Sequence, residues 1–266
     1  MTINSILFIG CGNMAGAMLT GWLAAGIPAD NFTIMDPARE ELPGGITPLR
    51  SLPESGDFDA VLLGVKPQML ADVAPQVEPL VGSGTVLLSL LAGVQLDTLA
   101  EKFPRARGQV RVMPNLAVAL GRSPVALAQA GLDDTAAENV LDLMRPLGAP
   151  EWVAEERFDL VTALAGSGPA FVYRFIDALG VAAARLGLPE EKARQFALAM
   201  VDGAAALAAQ SDDTPGELAE KVASKGGVTR AGLDVLDEDE ALTRLLVGTL
   251  RSARDRSVEM SAEARQ

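Results

Sequence analysis

The chain has 266 residues, of which 49% are hydrophobic and 21% charged, and its formal net charge at pH 7 is −13. This composition is typical of a globular protein with one large or two modest domains, and it excludes disordered and collagen-like classes. The negative charge makes general binding to nucleic acid or to an anionic membrane unfavourable. The sequence contains no histidine, which excludes a Ser–His–Asp triad, a histidine-based metal site and an imidazole general acid.

Cys11 is the single cysteine, which excludes intrachain disulfides and thiolate zinc clusters. It fits a reducing cytosol, and no basic residue precedes the first apolar run as it would in a targeting segment. We therefore expect a cytoplasmic protein that binds no metal. The apolar span from Leu160 to Leu188 contains Arg174, Asp177 and Arg185, so it indicates a buried helix rather than a membrane crossing.

Short apolar runs alternate with helical segments in the first half of the chain. Strands are predicted at 5–10, 32–35, 60–65, 85–90, 109–113, 124–128 and 151–154, and helices at 13–25, 68–81 and 133–146. Two prolines and two glycines in 37–45 predict a short or missing second crossover helix. The strand at 124–128 is expected at a sheet edge. This βαβ alternation predicts a mostly parallel, doubly wound sheet.

The second half of the chain shows helical patterning alone, from residue 155 to residue 265. The predicted boundary therefore lies near 154, with a dinucleotide-binding domain at 1–154 and a helical domain at 155–266. Five or so short helices give a thin core for a domain of about 110 residues. We therefore expect a homodimer in which the partner covers this domain.

A glycine-rich turn, Gly10-Cys-Gly12-Asn13-Met14-Ala15, follows the first predicted strand and opens the first predicted helix. Gly10 permits the tight turn, and Gly12 lets a pyrophosphate approach the backbone, while the helix N-terminus supplies amides and partial positive charge. This context predicts a Rossmann-like domain that binds NADH or NADPH. A glycine turn in an unrelated α/β fold is the alternative.

Two charged residues after the second strand favour different cofactors. Asp36 is expected to hold the adenosine ribose hydroxyls of NADH and to repel a 2′-phosphate. Arg39 would instead pair with that phosphate, or it is simply a solvated loop cation. The choice between NADH and NADPH is therefore open at this stage.

Further candidate cofactor residues lie where other strands end, at the edge where open α/β sheets bind ligands. They are Val65, Lys66, Pro67, Gly93, Met113 and Asn115. Lys66 is expected to contact cofactor phosphate or ribose, or to cap the sheet. The ends near 91–93 and 113–115 are expected to flank the nicotinamide, with ordinary turn chemistry as the alternative.

Two motifs in the helical half are candidates for substrate binding. Small residues surround Ser167 within an apolar stretch, which favours a close approach of a ligand or of another backbone. The second motif follows a helix that starts at Pro215, and its candidate residues are Ser224, Gly226, Gly227, Val228 and Thr229. Two hydroxyls and the free amides of a helix start predict a carboxylate site, while a glycine C-cap followed by an N-cap is the alternative.

These motifs together resemble the pyrroline-5-carboxylate reductase family. The matching segments are Gly10 to Met14, Val65 to Pro67, Arg111 to Asn115, Gly166 to Ala170 and Pro215 to Thr229. The resemblance implies reduction of 1-pyrroline-5-carboxylate to L-proline by NADPH or NADH, the last step of proline biosynthesis. It also implies a C-terminal helical dimerisation domain, and higher oligomers built from dimers.

The resemblance further implies roles for the second motif. Ser224 and the amides around Val228 and Thr229 would hold the substrate carboxylate, and the Thr229 hydroxyl would hydrogen-bond the ring nitrogen. This sequence departs from the usual family pattern at Ala165, at Leu116-Ala117, where Thr-Pro is usual, and at Lys225.

Two other functions compete with this interpretation. A β-hydroxyacid dehydrogenase shares the domain plan, but its lysine is missing from the corresponding segment, Phe171 to Arg174. A nucleotide-sensing binding protein would keep the first domain without catalysis, but it has no need of a carboxylate site.

Overall fold

The computed structural model describes residues 3–263 and, within the last helix, the side chains up to residue 262. The outer ends of the two predicted domains, residues 1–2 and 264–266, lie outside the described residues. Within residues 3–263, no helix is both long and apolar enough to span a bilayer.

Seven strands form one sheet in the order β2-β1-β3-β4-β5-β6-β7. They are β1 Ile6–Ile9, β2 Phe32–Met35, β3 Ala60–Leu63, β4 Val86–Ser89, β5 Gly108–Met113, β6 Ser123–Ala130 and β7 Gly148–Trp152. Every neighbouring pair is parallel except β5 and β6, which are antiparallel. The prediction of a mostly parallel, doubly wound sheet is confirmed.

The expectation that 124–128 forms an edge strand is wrong. β6 is eight residues long, pairs with β5 on one side and with β7 on the other, and is largely buried. The outer position belongs to β7, whose residues alternate between half-buried and exposed. A short run of apolar residues does not reveal which neighbours a strand will have.

Ten α-helices lie in the described part of the chain. They are α1 Asn13–Ala24, α2 Leu70–Val77, α3 Leu96–Lys102, α4 Asp134–Met144, α5 Phe158–Val161, α6 Gly168–Arg185, α7 Glu190–Gln210, α8 Pro215–Val222, α9 Val228–Asp237 and α10 Ala241–Glu263. In place of the second crossover helix there is a 3-10 turn at Pro43–Gly45, as expected from its prolines and glycines. The sequence analysis missed α3.

Two hydrophobic cores cover the two faces of the sheet. In β1, Ile6 and Phe8 point into one core, and Leu7 and Ile9 into the other. This arrangement explains why the strand is continuously apolar instead of alternating. In the first core, the fully buried Trp22 of α1 donates a hydrogen bond from Nε1 to the carbonyl oxygen of residue 143, at 2.7 Å.

The chain divides into two compact units. Unit 1 extends to Ser167 and includes the segment that begins at Ala253, while unit 2 comprises Gly168–Ser252. The predicted boundary at 154 therefore precedes the geometric one. The difference arises because α5 packs on the sheet through the fully buried Phe158, which contacts the apolar residues of β6.

Unit 2 contains the expected short helices α8 and α9, but α6 and α7 are longer than expected, and most of the span 160–188 is not buried in the single chain. α6 and α7 have 18 and 21 residues, and Gly180 is the one residue of α6 that is buried. A Cβ at Gly180 would lie 3.4 Å from the Cα of Arg194, so the two helices pack closely at this point. Large apolar side chains of α6, including Tyr173 and Phe175, are exposed in the single chain.

Candidate active site

The glycine turn after β1 is tightly packed against the end of β3. Gly10 has φ +84°, in the left-handed region that favours glycine, and a Cβ there would lie 2.9 Å from Val65 Cγ1. A Cβ at Gly64 would lie 2.5 Å from the carbonyl oxygen of Gly10. Both glycines are therefore required for the two strand ends to meet at this edge of the sheet.

The N-terminus of α1 is open to a ligand. Gly12 is the N-cap, and no side chain caps the helix. The amides of the first turn, from Asn13 and Met14 onwards, consequently have no capping partner. An uncapped helix start with a glycine at the point of closest approach fits the pyrophosphate of a nicotinamide dinucleotide.

Asp36 joins β2 to this turn. Its Oδ2 accepts a hydrogen bond from the Cys11 backbone N–H at 2.7 Å, and its Oδ1 accepts one from the Ala38 N–H at 2.9 Å. The side chain is nearly buried. The sequence predicts a contact of Asp36 with the ribose, and the structure adds that its carboxylate also accepts from the backbone of the glycine turn.

The Cys11 thiol is unreactive in this environment. Burial above all, and the Asp36 carboxylate after it, raise the pKa of the thiol to about 11, with Arg39 acting in the opposite direction. The thiol is fully buried and stays protonated at neutral pH, so it takes no part in nucleophilic chemistry.

Cations lie around the turn after β2. Arg39 is exposed and makes no ion pair among the described residues. Arg50, which the sequence analysis missed, donates a hydrogen bond from Nη1 to the Pro37 carbonyl at 2.7 Å. The bridge between Met35 and its neighbour at position 49 brings it there, and no local signal in the sequence indicates this pairing.

At the end of β3, Lys66 is exposed, and its side chain makes no ion pair among the described residues. Pro67 occupies the first position of a 3-10 turn, which suits a residue with no N–H to donate. Lys66 thus lies at the carboxyl edge of the sheet with its ammonium free.

Gly93, after β4, packs against protein. It has φ +78°, and a Cβ there would lie 3.1 Å from the backbone carbon and oxygen of Met260 in the last turns of α10. Its lack of a side chain therefore serves a close backbone approach. Its predicted place beside the nicotinamide remains a prediction.

The end of β5 is tied to a π-helical turn at Thr162–Gly166. Asn115 donates from Nδ2 to the Ala165 carbonyl at 3.0 Å. A Cβ at Gly166 would lie 3.2 Å from Met113 Sδ. The structure thus brings together Met113, Asn115 and the turn that leads to Ser167, which the sequence analysis proposed separately.

A buried ion pair that the sequence analysis did not recognise lies beside these residues. Arg111 of β5 is almost fully buried, donates to Glu155 Oε1 at 3.0 Å, and has its guanidinium carbon 4.2 Å from the ring centroid of Phe158. Burial lowers the pKa of Arg111, and Glu155 opposes this shift. Because Glu155 also accepts from the backbone N–H of residue 96, the pair links β5, α3 and the chain leading to α5.

In unit 2, the second substrate motif forms the turn between α8 and α9. Gly226 has φ +70°, and the Gly227 N–H donates to the Ser224 carbonyl at 2.9 Å. A Cβ at Gly227 would overlap with Ser224 Oγ. Gly227 is the N-cap of α9, and no side chain caps that helix.

The hydroxyls of this turn are available to a ligand. Ser224 and Thr229 are exposed, and neither hydroxyl has a protein partner among the described residues. The amides of Val228 and Thr229 begin α9, where the helix dipole favours an anion. Two hydroxyls and uncapped amides therefore lie within one turn, and the carboxylate site expected there remains a prediction.

An ion pair that the sequence analysis missed holds the two helices around this turn. Arg230 in α9 pairs with Glu220 in α8 and lies 3.7 Å from Asp234. At the start of α8, Thr214 and Glu217 form a reciprocal capping box. The ion pair thus links α8 to α9 across the motif, and the capping box closes the N-terminal end of α8.

The sheet, the glycine turn and the uncapped start of α1 define the class of this protein, which is a nicotinamide-dinucleotide-dependent oxidoreductase. Residues 155–260 match the family model for pyrroline-5-carboxylate reductase dimerisation. Residues 5–93 match the model for coenzyme F420-dependent NADP oxidoreductases.

Similar proteins identify the family. The pyrroline-5-carboxylate reductase of Pasteurella multocida is 34% identical over 273 residues, which cover 98% of each chain. Pyrroline-5-carboxylate reductase 2 of Bacillus subtilis is 31% identical and covers 98% of this chain and 96% of its own. The solved pyrroline-5-carboxylate reductase of Coxiella burnetii superposes with a TM-score of 0.88 at 28% identity, covering 98% of this chain and 99% of that one. The chain belongs to the pyrroline-5-carboxylate reductase family, which confirms the resemblance.

Proposed function

We propose that this protein reduces 1-pyrroline-5-carboxylate to L-proline with NADH or NADPH, as the last step of proline biosynthesis. The observation that carries the proposal is the turn before α9, where two free hydroxyls and uncapped amides meet. The substrate is a cyclic imine with one carboxylate, and this turn supplies donors for that carboxylate and one more for the ring nitrogen.

Each residue of the turn has a role in this proposal. The Ser224 hydroxyl and the amides of Val228 and Thr229 donate to the substrate carboxylate. Gly226 supplies the left-handed backbone that closes the turn, and Gly227 leaves room for the Ser224 hydroxyl. Ser167, whose hydroxyl has no protein partner among the described residues, donates to the bound substrate from the other motif.

The Thr229 hydroxyl orients the ring nitrogen. Hydride addition to the C=N carbon leaves an electron pair on nitrogen, and this nitrogen must receive a proton for the product amine to form. A hydroxyl is too weak an acid to supply that proton alone at neutral pH. The proton therefore comes from water, either relayed through Thr229 or taken up before the imine binds.

The cofactor residues carry over from the family motifs. Gly10, Gly12, Asn13 and Met14 bind the pyrophosphate through the glycine turn and the start of α1. Candidate contacts at the other strand ends are Val65, Lys66, Pro67, Gly93 and Met113, whereas the side chain of Asn115 is bonded to the protein backbone. A dinucleotide bound there would supply the hydride for the reduction.

Asp36 makes NADH the preferred donor in this proposal. Its carboxylate accepts hydrogen bonds from two backbone amides, which hold it at the end of β2, where it would repel a 2′-phosphate and accept from ribose hydroxyls instead. Arg39, exposed nearby, supplies the opposing attraction. The ratio of kcat/KM for NADH to kcat/KM for NADPH shows whether Asp36 or Arg39 sets the cofactor preference. A higher kcat/KM with NADPH would show that Arg39 dominates.

The homodimer belongs to the proposal as well. The helices of unit 2 expose large apolar side chains in the single chain, among them Tyr173, Phe196, Leu198, Leu207 and Leu245. Exposed apolar surface on this scale marks a protein interface, and residues 155–260 match a dimerisation model. Sedimentation should give twice the mass of the chain or an even multiple of it, and a stable monomer would contradict this part of the proposal. The free thiol of Cys11 fits the proposed cytoplasmic location.

Substitution of Thr229 tests the catalytic assignment. We expect Thr229→Ser to keep most of the activity, because it retains the hydroxyl. Thr229→Ala should lower kcat/KM by about 1 to 3 kcal/mol of transition-state stabilisation, since one hydrogen bond to the reacting nitrogen is lost. The assay is oxidation of the dinucleotide with 1-pyrroline-5-carboxylate, and equal rates for Thr229→Ala and wild type would refute the role.

A further inference from the structure

Asn115, at the end of β5, uses its polar groups within the protein. Its backbone N–H donates to Ser123 Oγ at 2.9 Å, and its Oδ1 accepts from the Ala117 N–H at 2.9 Å. One N–H of its Nδ2 donates to the Ala165 carbonyl, fifty residues away in sequence. The side chain is 6% exposed, so Asn115 is built to hold protein segments together.

The Ala165 carbonyl has a particular need of this donor. In an α-helix it would accept from the residue four positions later, but that residue is Pro169, which has no N–H. The chain at Thr162–Gly166 forms a π-helical turn instead, and such turns are frequent at functional sites. The side chain of Asn115 supplies the donor that the helix itself lacks.

A second contact seats the same turn on β5. Gly166 lies so close to Met113 that a Cβ would be 3.2 Å from its Sδ. The next residue, Ser167, is half-buried, and its hydroxyl has no protein partner among the described residues. The turn therefore presents one free hydroxyl beside the carboxyl end of β5, at the edge where sheets of this kind bind their ligands.

We propose that Asn115 is a positioning residue for the reaction, and that it acts through Ser167. By holding the Ala165 carbonyl, it sets the place of the Gly166–Ser167 turn against the end of β5. This inference rests on the proposed function. The sequence predicts that Asn115 contacts the cofactor, whereas we propose that its side chain acts through its hydrogen bond to the Ala165 carbonyl.

Two substitutions separate the two side-chain bonds of Asn115. Asn115→Asp keeps an acceptor for the Ala117 N–H but places an oxygen, in the position of Nδ2, against the Ala165 carbonyl. Ala117→Pro is the matched control, because it removes the N–H that Oδ1 accepts and leaves the bond to Ala165 in place. Proline is tolerated at the start of a helical turn. Asn115→Ser, which keeps a capping oxygen and cannot reach Ala165, serves if the buried carboxylate prevents folding.

The experiment measures kcat and KM for 1-pyrroline-5-carboxylate and, separately, the Kd of NADH by fluorescence titration without substrate. We expect Asn115→Asp or Asn115→Ser to lower kcat/KM by about tenfold or more while the NADH Kd changes by less than about threefold. Ala117→Pro should stay within about twofold of wild type in both measurements.

A double-mutant cycle with Ser167→Ala distinguishes positioning from general stabilisation. If Asn115 acts through Ser167, the double variant is no slower than the slower single variant, because the hydroxyl to be positioned is already gone. Losses that multiply in the double variant, or an unchanged kcat/KM in the Asn115 variants, would overturn the inference. Wild-type protein that binds NADH but does not reduce the imine would instead refute the proposed function.

Discussion

Gly227→Ala tests the carboxylate site at its tightest point. Gly227 has φ −83° and ψ 173°, an extended conformation that alanine adopts without backbone strain. The added Cβ would overlap with Ser224 Oγ and would lie 3.0 Å from the Ser224 carbonyl oxygen, a close contact that a backbone shift of a few tenths of an ångström relieves. Because Ser224 is exposed, its hydroxyl can rotate away at little cost in stability, and this movement takes the hydroxyl out of the site.

The size of the effect follows from the lost interaction. A hydrogen bond to a charged group is worth about 1.5 to 3 kcal/mol, so kcat/KM should fall by about 10- to 100-fold. The loss should lie mainly in KM, since the carboxylate is held equally in the ground state and in the transition state. Thermal unfolding should change little.

The matched control is Ser224→Ala, alone and combined with Gly227→Ala. If the added Cβ acts only by displacing the Ser224 hydroxyl, the double variant should have the same kcat/KM as Ser224→Ala, because the hydroxyl is already absent. Initial rates of dinucleotide oxidation at varied imine concentration measure all four proteins. An unchanged KM in Gly227→Ala, or losses that multiply in the double variant, would refute the assignment of this turn to the carboxylate.

Two further predictions concern the interior of unit 1. Glu155→Leu leaves the buried guanidinium of Arg111 without its partner, so the free energy of unfolding measured in urea should fall by about 3 kcal/mol. The double variant with Arg111→Leu should recover most of this stability, because the unpaired charge is gone. A decrease below about 1 kcal/mol in Glu155→Leu would show that the ion pair is not needed for stability. Cys11 should resist alkylation by iodoacetamide at pH 8 in the folded protein, as followed by mass spectrometry. Its pKa is raised from 9.0 to about 11 in the folded protein, so the thiol ionises at a lower pH in the unfolded chain than in the folded one. The contribution of the buried thiol to the free energy of unfolding is therefore complete below pH 9 and is lost as the pH rises from 9 to 11. Rapid alkylation of folded protein would contradict the burial of this thiol.

Several features of the fold are readable from local sequence. The apolar run at 32–35 and the strand Phe32–Met35 coincide, because both faces of this sheet are covered and the strand is marked by apolar residues between turn signals. The glycine turn and the loss of the second crossover helix follow from backbone restrictions at single residues, Gly10 and Pro43 above all. The helix α3 was missed because it has only seven residues, which is too short for the apolar periodicity of a helix to be recognised.

The candidate site also has some features that local sequence indicates and others that depend on tertiary contacts. The motif from Ser224 to Thr229 could be recognised because its residues are adjacent in sequence, and a turn followed by a helix start is a local structure. The sequence alone thus determined the mostly parallel sheet, apart from the place of β6, the glycine turn after β1, and the turn before α9 in which we propose a carboxylate site. Tertiary structure alone decided that Asp36 holds the Cys11 amide, that Asn115 holds the Ala165 carbonyl, and that a β6 strand lies inside the sheet. These features depend on which distant segments pack together, and the apolar pattern of a segment records its burial but not its neighbour.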